Sequence, residues 1–514
     1  MPLLPILLIA IVLAADAGLS VTADVPAGGV VWPAIVIAWL PPLLVAGAQW
    51  VVTAVCLRAL RRGRASGPIM TAERAAAFAR GLMLVNHAVA VLLCGWLAAV
   101  RRMIGDLVLI DEVIAIAPPL AGVLLTWAVQ FPVERRLREA VLVRRLDEGR
   151  PVHAMPGRAR YVWRQAQLNI LLLLIPILMI LGAAELIRRG AARWVAPEWS
   201  DAVGQAGTLG VGAVVFIVAP LLVRALFSTR RIDDGELRDD LMEVCRRHGV
   251  KVRELLVWAT DGTMINAAVM GLVAPLRYVL MTDALLETMR RDEVRAVMAH
   301  EIGHVRRHHM PWMVLCLVAL LAAADWALIT PLLWIDARWF EVEASIAPWI
   351  ELALMTGMVG LILLGFGWVS RRFERQADTF AAQHLSGLGR PDGPDDPAPS
   401  IAADAVDSLR SALLTICRMH AIDPKRRSWR HGSIEWRIAY LESIVGRPLQ
   451  GLPIDRVIRR LKLAAVLCVV AAIGLEGYLL VAARGSAPMT PPPDAADAAV
   501  ESIEGAAAAE VQTP

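Results

Sequence analysis

Residues 300–324 read HEIGHVRRHHMPWMVLCLVALLAAA, a polar segment followed directly by an apolar one. The first five letters place His300 and His304 four residues apart, so both rings fall on one face of a helix, with Glu301 beside them. The apolar run over 311–335 is long enough to cross roughly 30 Å of hydrocarbon. The stretch therefore predicts a polar helix that continues straight into a membrane span.

Apolar runs of similar length recur along the chain. Of its 514 residues, 57% are hydrophobic and 19% are charged, whereas about a quarter of the residues of an ordinary soluble protein are charged. We expect a mainly α, polytopic membrane protein with about eight or nine transmembrane helices. The predicted spans are 30–57, 77–99, 107–131, 167–187, 207–227, 311–335, 347–369 and 461–483, with a shorter apolar run at 3–15.

The two ends of the chain carry separate signals. No basic residue precedes the run at 3–15, which favours an uncleaved transmembrane helix, although Val21-Thr22-Ala23 would suit cleavage of a signal peptide. After Arg484 the tail has no basic residue and is rich in alanine and proline. That composition predicts disorder for 485–514.

The arginines in the short loops between spans predict the orientation. Loops 58–75 and 132–166 carry five and nine arginines, whereas the loops on the opposite side carry two, three and one. The arginine-rich loops are therefore placed in the cytoplasm, and the same alternation puts the polar segments 228–310 and 370–460 there too. The arginines cluster at span ends, so they indicate topology and give no sign of nucleic-acid binding.

This arrangement predicts four parts of the chain. Residues 1–230 form an N-terminal transmembrane region. Residues 231–460 form one split cytoplasmic α+β domain, interrupted by a transmembrane hairpin at 311–369. A C-terminal transmembrane helix at 461–484 and the tail follow.

The HEIGH pattern indicates a zinc site. Two histidine rings on one helical face can hold one cation, and Glu301 is placed to accept a proton from a water that zinc acidifies. We expect His300 and His304 to be ligands of one Zn²⁺ per chain. His308 and His309 come one turn later, near the membrane surface, and are not predicted to be ligands.

The third ligand should be a carboxylate or histidine on another element. Glu374 and Asp378 lie in RRFERQADTF, four residues apart, just after the 347–369 span. A transmembrane hairpin would return them to the membrane face where His300 lies. Glu374 is the preferred ligand, and Asp378 is expected to support a ligating histidine. Two surface acids that balance nearby arginines are the alternative.

Together these motifs resemble a known family. HEIGH, followed by ERQAD after a hairpin, is similar to the integral-membrane zinc metallopeptidases that include the CAAX prenyl endopeptidases and the HtpX heat-shock proteases. The resemblance covers roughly residues 230–447. It implies a zincin-like fold, zinc ligation by Glu374 and a supporting role for Asp378.

Two further stretches extend the resemblance. NAAVMG, at residues 266–271, is similar to the family's NAxxxG stretch, which implies an edge strand that pairs with an extended substrate; an ordinary β-hairpin is the alternative. Its substrate-binding candidates are Asn266, Ala267 and Gly271. HGSIEWRI, from His431, is similar to the family's HPxxxxRI segment, with Gly432 in place of proline. It implies a catalytic role for His431 and substrate binding by Arg437, either of which could stabilise an oxyanion.

The expected function is zinc-dependent hydrolysis of peptide bonds at the cytoplasmic membrane face. The partners would be the lipid bilayer and membrane-associated proteins or peptides, and short loops with more arginine than lysine favour a bacterial inner membrane. A non-catalytic zinc-containing sensor or transporter module is the alternative. A purely structural zinc site would prefer four closed ligands, usually with cysteine, and no cysteine lies near the HEIGH or ERQAD motifs.

Overall fold

The computed structural model describes residues 4–19, 31–62, 66–147, 149, 151–339, 347–388, 400–420 and 422–485. Nearly all of the tail predicted to be disordered, and the candidate cleavage site at 21–23, lie outside these residues. The described part is mostly helical and contains one four-stranded sheet.

The N-terminal part consists of eight α-helices. Short π-helical turns at Ala15–Leu19, Val89–Leu93 and Gln167–Leu171 extend three of them. One apolar cluster, which runs from Leu8 to Leu174, unites the first seven helices. The helices are α1 Leu4–Ala14, α2 Trp32–Arg61, α3 Ser66–Ala88, α4 Trp96–Ile104, α5 Ile110–Asp147, α6 Arg158–Ala166, α7 Leu172–Trp194 and α8 Pro197–Leu226.

The polar part begins with a small mixed sheet. Its strands are β1 Thr229–Arg231, β2 Glu254–Trp258, β3 Ala267–Met270 and β4 Tyr278–Thr282, in the order β1-β2-β4-β3. β2 and β4 are parallel, and the two outer pairs are antiparallel. β3 is therefore an edge strand, and it is also one arm of an antiparallel pair with β4.

Helices surround this sheet and continue to the end of the described chain. They are α9 Glu236–Arg247, α10 Asp283–Thr288, α11 Arg291–Arg306, α12 His309–Trp339, α13 Ala347–Leu385, α14 Ala403–Met419, α15 Ile434–Glu442 and α16 Pro453–Gly485. A 3-10 turn at Ala274–Leu276 joins β3 to β4. A single apolar core contains Val279 of the sheet, Ile302 of α11, Ala381 of α13 and Leu441 of α15. Residues before and after the α12–α13 pair therefore share one core.

Seven helices among the described residues are long and apolar enough to cross a membrane. This confirms a polytopic membrane protein. The predicted span at 461–483 lies within α16, which is not one of these seven, and the run at 3–15 corresponds to a shorter apolar helix. The seven are Trp32–Arg61, Gly67–Leu93, Ile110–Ala140, Arg158–Trp194, Pro197–Leu226, His309–Leu328 and Ala353–Leu385.

The junction between α11 and α12 differs from the sequence-based expectation of one straight helix. α11 ends at Arg306, His308 has a positive φ of 54°, and α12 begins at His309. A left-handed residue cannot continue an α-helix. The break changes the direction of the chain between the HEIGH motif and the membrane span.

Candidate metal centre

α11 and α13 pack against each other and bring three side chains to one point. His300 Nε2 lies 3.2 Å from His304 Nε2. The two carboxylate oxygens of Glu374 lie 3.7 Å from His300 Nε2 and 3.8 Å from His304 Nε2. A nitrogen from each histidine and an oxygen of Glu374 all fall within 4.8 Å of one another.

These three donors suit Zn²⁺. Ligands at about 2.0–2.2 Å in a tetrahedral arrangement lie about 3.3–3.6 Å apart, close to the separations seen here. Burial lowers the pKa of His304 to about 4, so its ring is neutral near pH 7, the form that binds a metal. Two histidines and one carboxylate leave a fourth position for water or substrate.

Glu301 is the carboxylate beside this donor set. It lines the same cavity as the three donors. Burial raises its pKa to about 7, and the negative charge of Glu374 acts in the same direction, while the charge of His300 and a backbone hydrogen bond from Val269 oppose the rise. A carboxylate with a pKa near the working pH can both accept and release a proton.

Asp378 supports His300 from the opposite side of the ring. Its Oδ1 lies 2.9 Å from His300 Nδ1. Burial alone would lower the pKa of His300, but the carboxylate of Asp378 raises it. The geometry matches the supporting role expected for Asp378.

Arg437 is fully engaged with Asp378. Its Nε donates to Asp378 Oδ2 at 2.8 Å and its Nη2 donates to Oδ1 at 2.5 Å. Arg437 is buried and its Nη1 lies 3.7 Å from Glu374. Burial opposes the charge of this guanidinium, but the charge and hydrogen bonds of Asp378 raise its pKa. This arrangement favours a role in positioning α13 over direct contact with substrate.

His431 reaches the site from the loop before α15. Its Nδ1 lies 3.0 Å from Glu374 Oε1, and half of its side chain (51%) is exposed. Both His431 and Arg437 line the cavity, but only the imidazole of His431 is exposed, whereas Arg437 is buried. The structure therefore brings both His431 and Arg437 close to Glu374. The two side chains differ in how exposed they are.

A cavity of about 520 Å³ joins the metal donors to the sheet edge. Asn266, Ala267 and Gly271 all line it. Gly271 has a φ of +103°, and a Cβ there would collide with the carbonyl oxygen of Leu276. Glycine is required at this position by the turn that ends β3, whether or not a ligand contacts it.

Sequence reasoning missed a chain of hydrogen bonds behind His304. His309 Nδ1 lies 2.9 Å from His304 Nδ1, and His309 Nε2 lies 2.9 Å from Gln376 Oε1. Gln376 Nε2 donates to Asp455 Oδ1 of α16 at 2.7 Å. The break at His308 turns His309 back toward α11, which a straight helix would not allow.

The order of donors in this chain fixes the tautomers. Asp455 accepts from the Gln376 amide nitrogen, so the Gln376 oxygen must accept from His309 Nε2–H. His309 Nδ1 is then an acceptor, and His304 Nδ1–H donates to it. The lone pair of His304 is left on Nε2, the nitrogen that faces Glu374 and His300. The arrangement thus prepares His304 to bind a metal.

Comparison with known proteins identifies the central segment. The family model described as "Peptidase family M48" matches residues 231–391. This segment contains the HEIGH motif, the hairpin and the ERQAD motif. The family is one of metallopeptidases, so a metal is implied at this site, typically zinc.

Three similar proteins indicate how far the likeness extends. A protease HtpX homolog of Aeropyrum pernix is 26% identical over 267 residues, 49% of this chain and 75% of that protein. A CAAX prenyl protease 1 homolog of Arabidopsis thaliana is 26% identical over 179 residues, 33% of this chain and 42% of that protein. The crystal structure of S. mikatae Ste24p shares 16% identity and a TM-score of 0.43, covering 79% of this chain and 98% of that one.

The family match covers the hairpin and the polar segments up to residue 391, and it includes neither the N-terminal region nor the part of the chain that carries His431 and Arg437. The resemblance inferred from the HEIGH and ERQAD motifs is confirmed: residues 231–391 of this membrane protein match the model of Peptidase family M48, and the similar proteins are HtpX and CAAX prenyl proteases.

Proposed function

We propose that this protein is a zinc-dependent endopeptidase of the membrane that hydrolyses peptide bonds of membrane-associated proteins. The observation that carries the proposal is the convergence of His300, His304 and Glu374 beside Glu301, within one cavity at the end of two membrane helices. The family match over 231–391 supports peptidase chemistry.

Zinc held by the three donors would polarise the scissile carbonyl and acidify a water. Glu301 is placed to take a proton from a water molecule in the cavity and to deliver it to the leaving amine. Its raised pKa suits both steps. Asp378, held by Arg437, orients His300, and His309 orients His304.

An extended peptide can pair with the free edge of β3. β3 uses one side to pair with β4, and its other side faces the cavity that contains Glu301. Backbone pairing fixes an extended chain without selecting its sequence. Asn266 and Ala267 would lie along this path, and His431 could donate to the oxyanion that forms on the scissile carbonyl.

The arginine distribution supports a cytoplasmic position for this site, in a bacterial inner membrane. The natural substrates would then be proteins that expose an extended segment at the cytoplasmic membrane face.

Zinc analysis of purified variants tests the site. We expect one zinc per chain in the parent, loss of zinc in His300→Ala and in His304→Ala, and bound zinc without peptidase activity in Glu301→Gln. His153→Ala removes a histidine that contacts Glu287 elsewhere, so it should behave like the parent. Full zinc occupancy in a His300→Ala/His304→Ala double variant would refute the ligand assignment.

Membrane proteomics tests the activity. Cells that express the parent should accumulate membrane-protein fragments that are missing from cells expressing Glu301→Gln. Zinc-loaded protein that yields no fragment dependent on Glu301 would instead support the non-catalytic sensor or transporter module.

A further inference from the structure

A second cavity lies on the other side of the loop that carries His431. It measures about 710 Å³ and lies between α13 and the loop 424–433. Four cationic side chains line it, together with two tryptophans and one carboxylate. They are Arg371, Arg372, Lys425 and Arg427, with Trp368, Trp436 and Glu435.

Among the described residues that line this cavity, cations outnumber carboxylates by four to one. Within the described residues, none of the four cations has a carboxylate within 4.0 Å, and this includes Glu435 of the cavity itself. The described contacts of Arg371 and Arg372 are with backbone carbonyls of Trp429 and Trp368. Four cations around one concave site attract an anion from outside the chain.

The cavity lies where α13 leaves its predicted membrane span. Trp429, on the same loop, donates from its indole nitrogen to the carbonyl of Leu363 within the membrane helix. Arg371 is eight residues further along α13, which corresponds to a rise of about 12 Å. The predicted span at 347–369 ends two residues before Arg371, so we expect the cations in the headgroup region that borders the hydrocarbon core.

The aromatic side chains anchor the loop at this boundary. Arg372 stacks over Trp368, with its guanidinium carbon 4.0 Å from the ring centre. Gly367 allows Trp429 to lie directly against α13, because a Cβ at that position would collide with the indole. Tryptophans beside arginines are typical of the membrane–water interface.

We propose that this cavity binds the phosphodiester headgroup of an anionic phospholipid. The phosphate would lie among Arg371, Arg372, Lys425 and Arg427, and the acyl chains would extend along α13 beside Trp429. The chemistry of recognition is shared with free phosphate, but the tryptophans and the depth in the membrane favour the lipid. This inference does not depend on the proposed peptidase activity.

The headgroup site shares a loop with the metal centre. Ser428 and Gly432 close a tight turn by two backbone hydrogen bonds of 3.0 Å, and His431 within that turn contacts Glu374. A headgroup held on one face of the turn therefore fixes the position of His431 on the other.

The test measures lipid retention by the full chain. The parent, Lys425→Gln/Arg427→Gln and Arg459→Gln/Arg460→Gln are each placed in nanodiscs of phosphatidylcholine mixed with phosphatidylglycerol and then extracted, and the lipids that remain bound are counted by native mass spectrometry. The control pair removes the same charge from exposed positions at the start of α16. We expect the 425/427 variant to retain phosphatidylglycerol about tenfold less well, and the control to match the parent.

Each other outcome overturns the proposal. Equal loss in both double variants would show a general attraction of charge, and no loss in either would show that the cavity does not hold the headgroup. Added inorganic phosphate should not displace the retained lipid. A soluble glycerophosphodiester is added at the same concentration for comparison. If inorganic phosphate displaces the retained phosphatidylglycerol as well, the ligand is a soluble anion. Zinc content, measured in parallel, should stay unchanged and so reports on the metal centre separately.

Discussion

Glu374 and Asp378 lie one turn apart on α13 but have different neighbours. Glu374 faces both histidine Nε2 atoms, whereas Asp378 touches the outer nitrogen of His300 and the guanidinium of Arg437. The two carboxylates should therefore respond differently to truncation.

Glu374→Ala should empty the site at trace zinc, because a direct ligand is lost. Asp378→Ala should lower zinc affinity by about 10–100-fold and regain zinc when more is added. Zinc titrations of both variants in one detergent and at one pH make the comparison. The opposite ranking would assign Asp378 as the ligand, and unchanged binding in both would exclude the two carboxylates and point to His431.

The hydrogen-bond chain behind His304 gives a second prediction for single residues. His309→Ala removes the acceptor that keeps the His304 lone pair on Nε2, so zinc affinity should fall by about 10–100-fold. His308→Asn is the matched control, since His308 is exposed and asparagine tolerates its left-handed backbone. Zinc binding by His309→Ala equal to that of the control would contradict the role of the chain.

Asp455→Asn tests the tautomer argument through a residue far from the metal donors. Asparagine can donate where aspartate accepts, which allows the Gln376 amide to turn over and offer an N–H to His309. We expect weaker zinc binding and a changed nitrogen NMR pattern of the His304 ring. An unchanged ring spectrum would show that Asp455 does not set the tautomer.

For single residues, the sequence predicts the candidate ligands that are marked by their spacing along the chain. Spacing along one helix brought out His300, Glu301 and His304, and a hairpin argument brought out Glu374. His309 could not be found in this way, because its contact with His304 depends on the positive φ of His308. Asp455 lies 79 residues beyond Gln376, and nothing local connects the two.

At the scale of single elements, the turn that ends β3 is the most constrained. Gly271→Ala places a side chain at a φ of +103° and against the Leu276 carbonyl, which costs about 1–3 kcal/mol for the backbone strain alone. We expect a lower melting temperature and weaker peptide binding, because β3 borders the cavity. Gly157→Ala is a suitable control, since a Cβ there meets open space. A melting temperature equal to that of the control would contradict the strain argument.

The strands show which structural features local sequence predicts and which depend on the tertiary fold. The apolar runs LLVWAT at 255–260 and RYVLMT at 277–282 predict strands from the sequence alone, and the structure contains β2 and β4 at those places. The Asp261-Gly262 turn does not join a hairpin, however, because β2 pairs in parallel with β4 and β3 lies on the far side of β4. Strand order depends on tertiary contacts, which local propensity does not encode.

For the whole molecule, the orientation in the membrane is the main open prediction. A cysteine introduced at Asp404, exposed on α14, should be labelled by an impermeant reagent only after permeabilisation. A cysteine at Glu198, exposed in the first turn of α8, should be labelled in intact cells. A background without the six native cysteines removes their contribution to labelling. The reverse pattern would place the metal centre outside the cytoplasm.

Most of the transmembrane helices could be predicted from the sequence, because crossing the hydrocarbon core requires a minimum length of apolar chain. A span needs about 20 apolar residues, and seven of the predicted spans correspond to apolar helices of sufficient length. α16 shows where the rule weakens, since its first turns are polar and pack through Ile454 and Ile458 in one cluster with α12 and α13. The domain borders at 231 and 460 stay a prediction.

The α12–α13 hairpin between the HEIGH helix and Glu374 has a consequence for biosynthesis. His300 and His304 leave the ribosome some 70 residues before Glu374 does, and both membrane helices must be inserted before that carboxylate can return to the histidines. A nascent chain therefore has no complete set of metal donors. Under the proposed function, peptidase activity would therefore begin only after both helices have entered the bilayer.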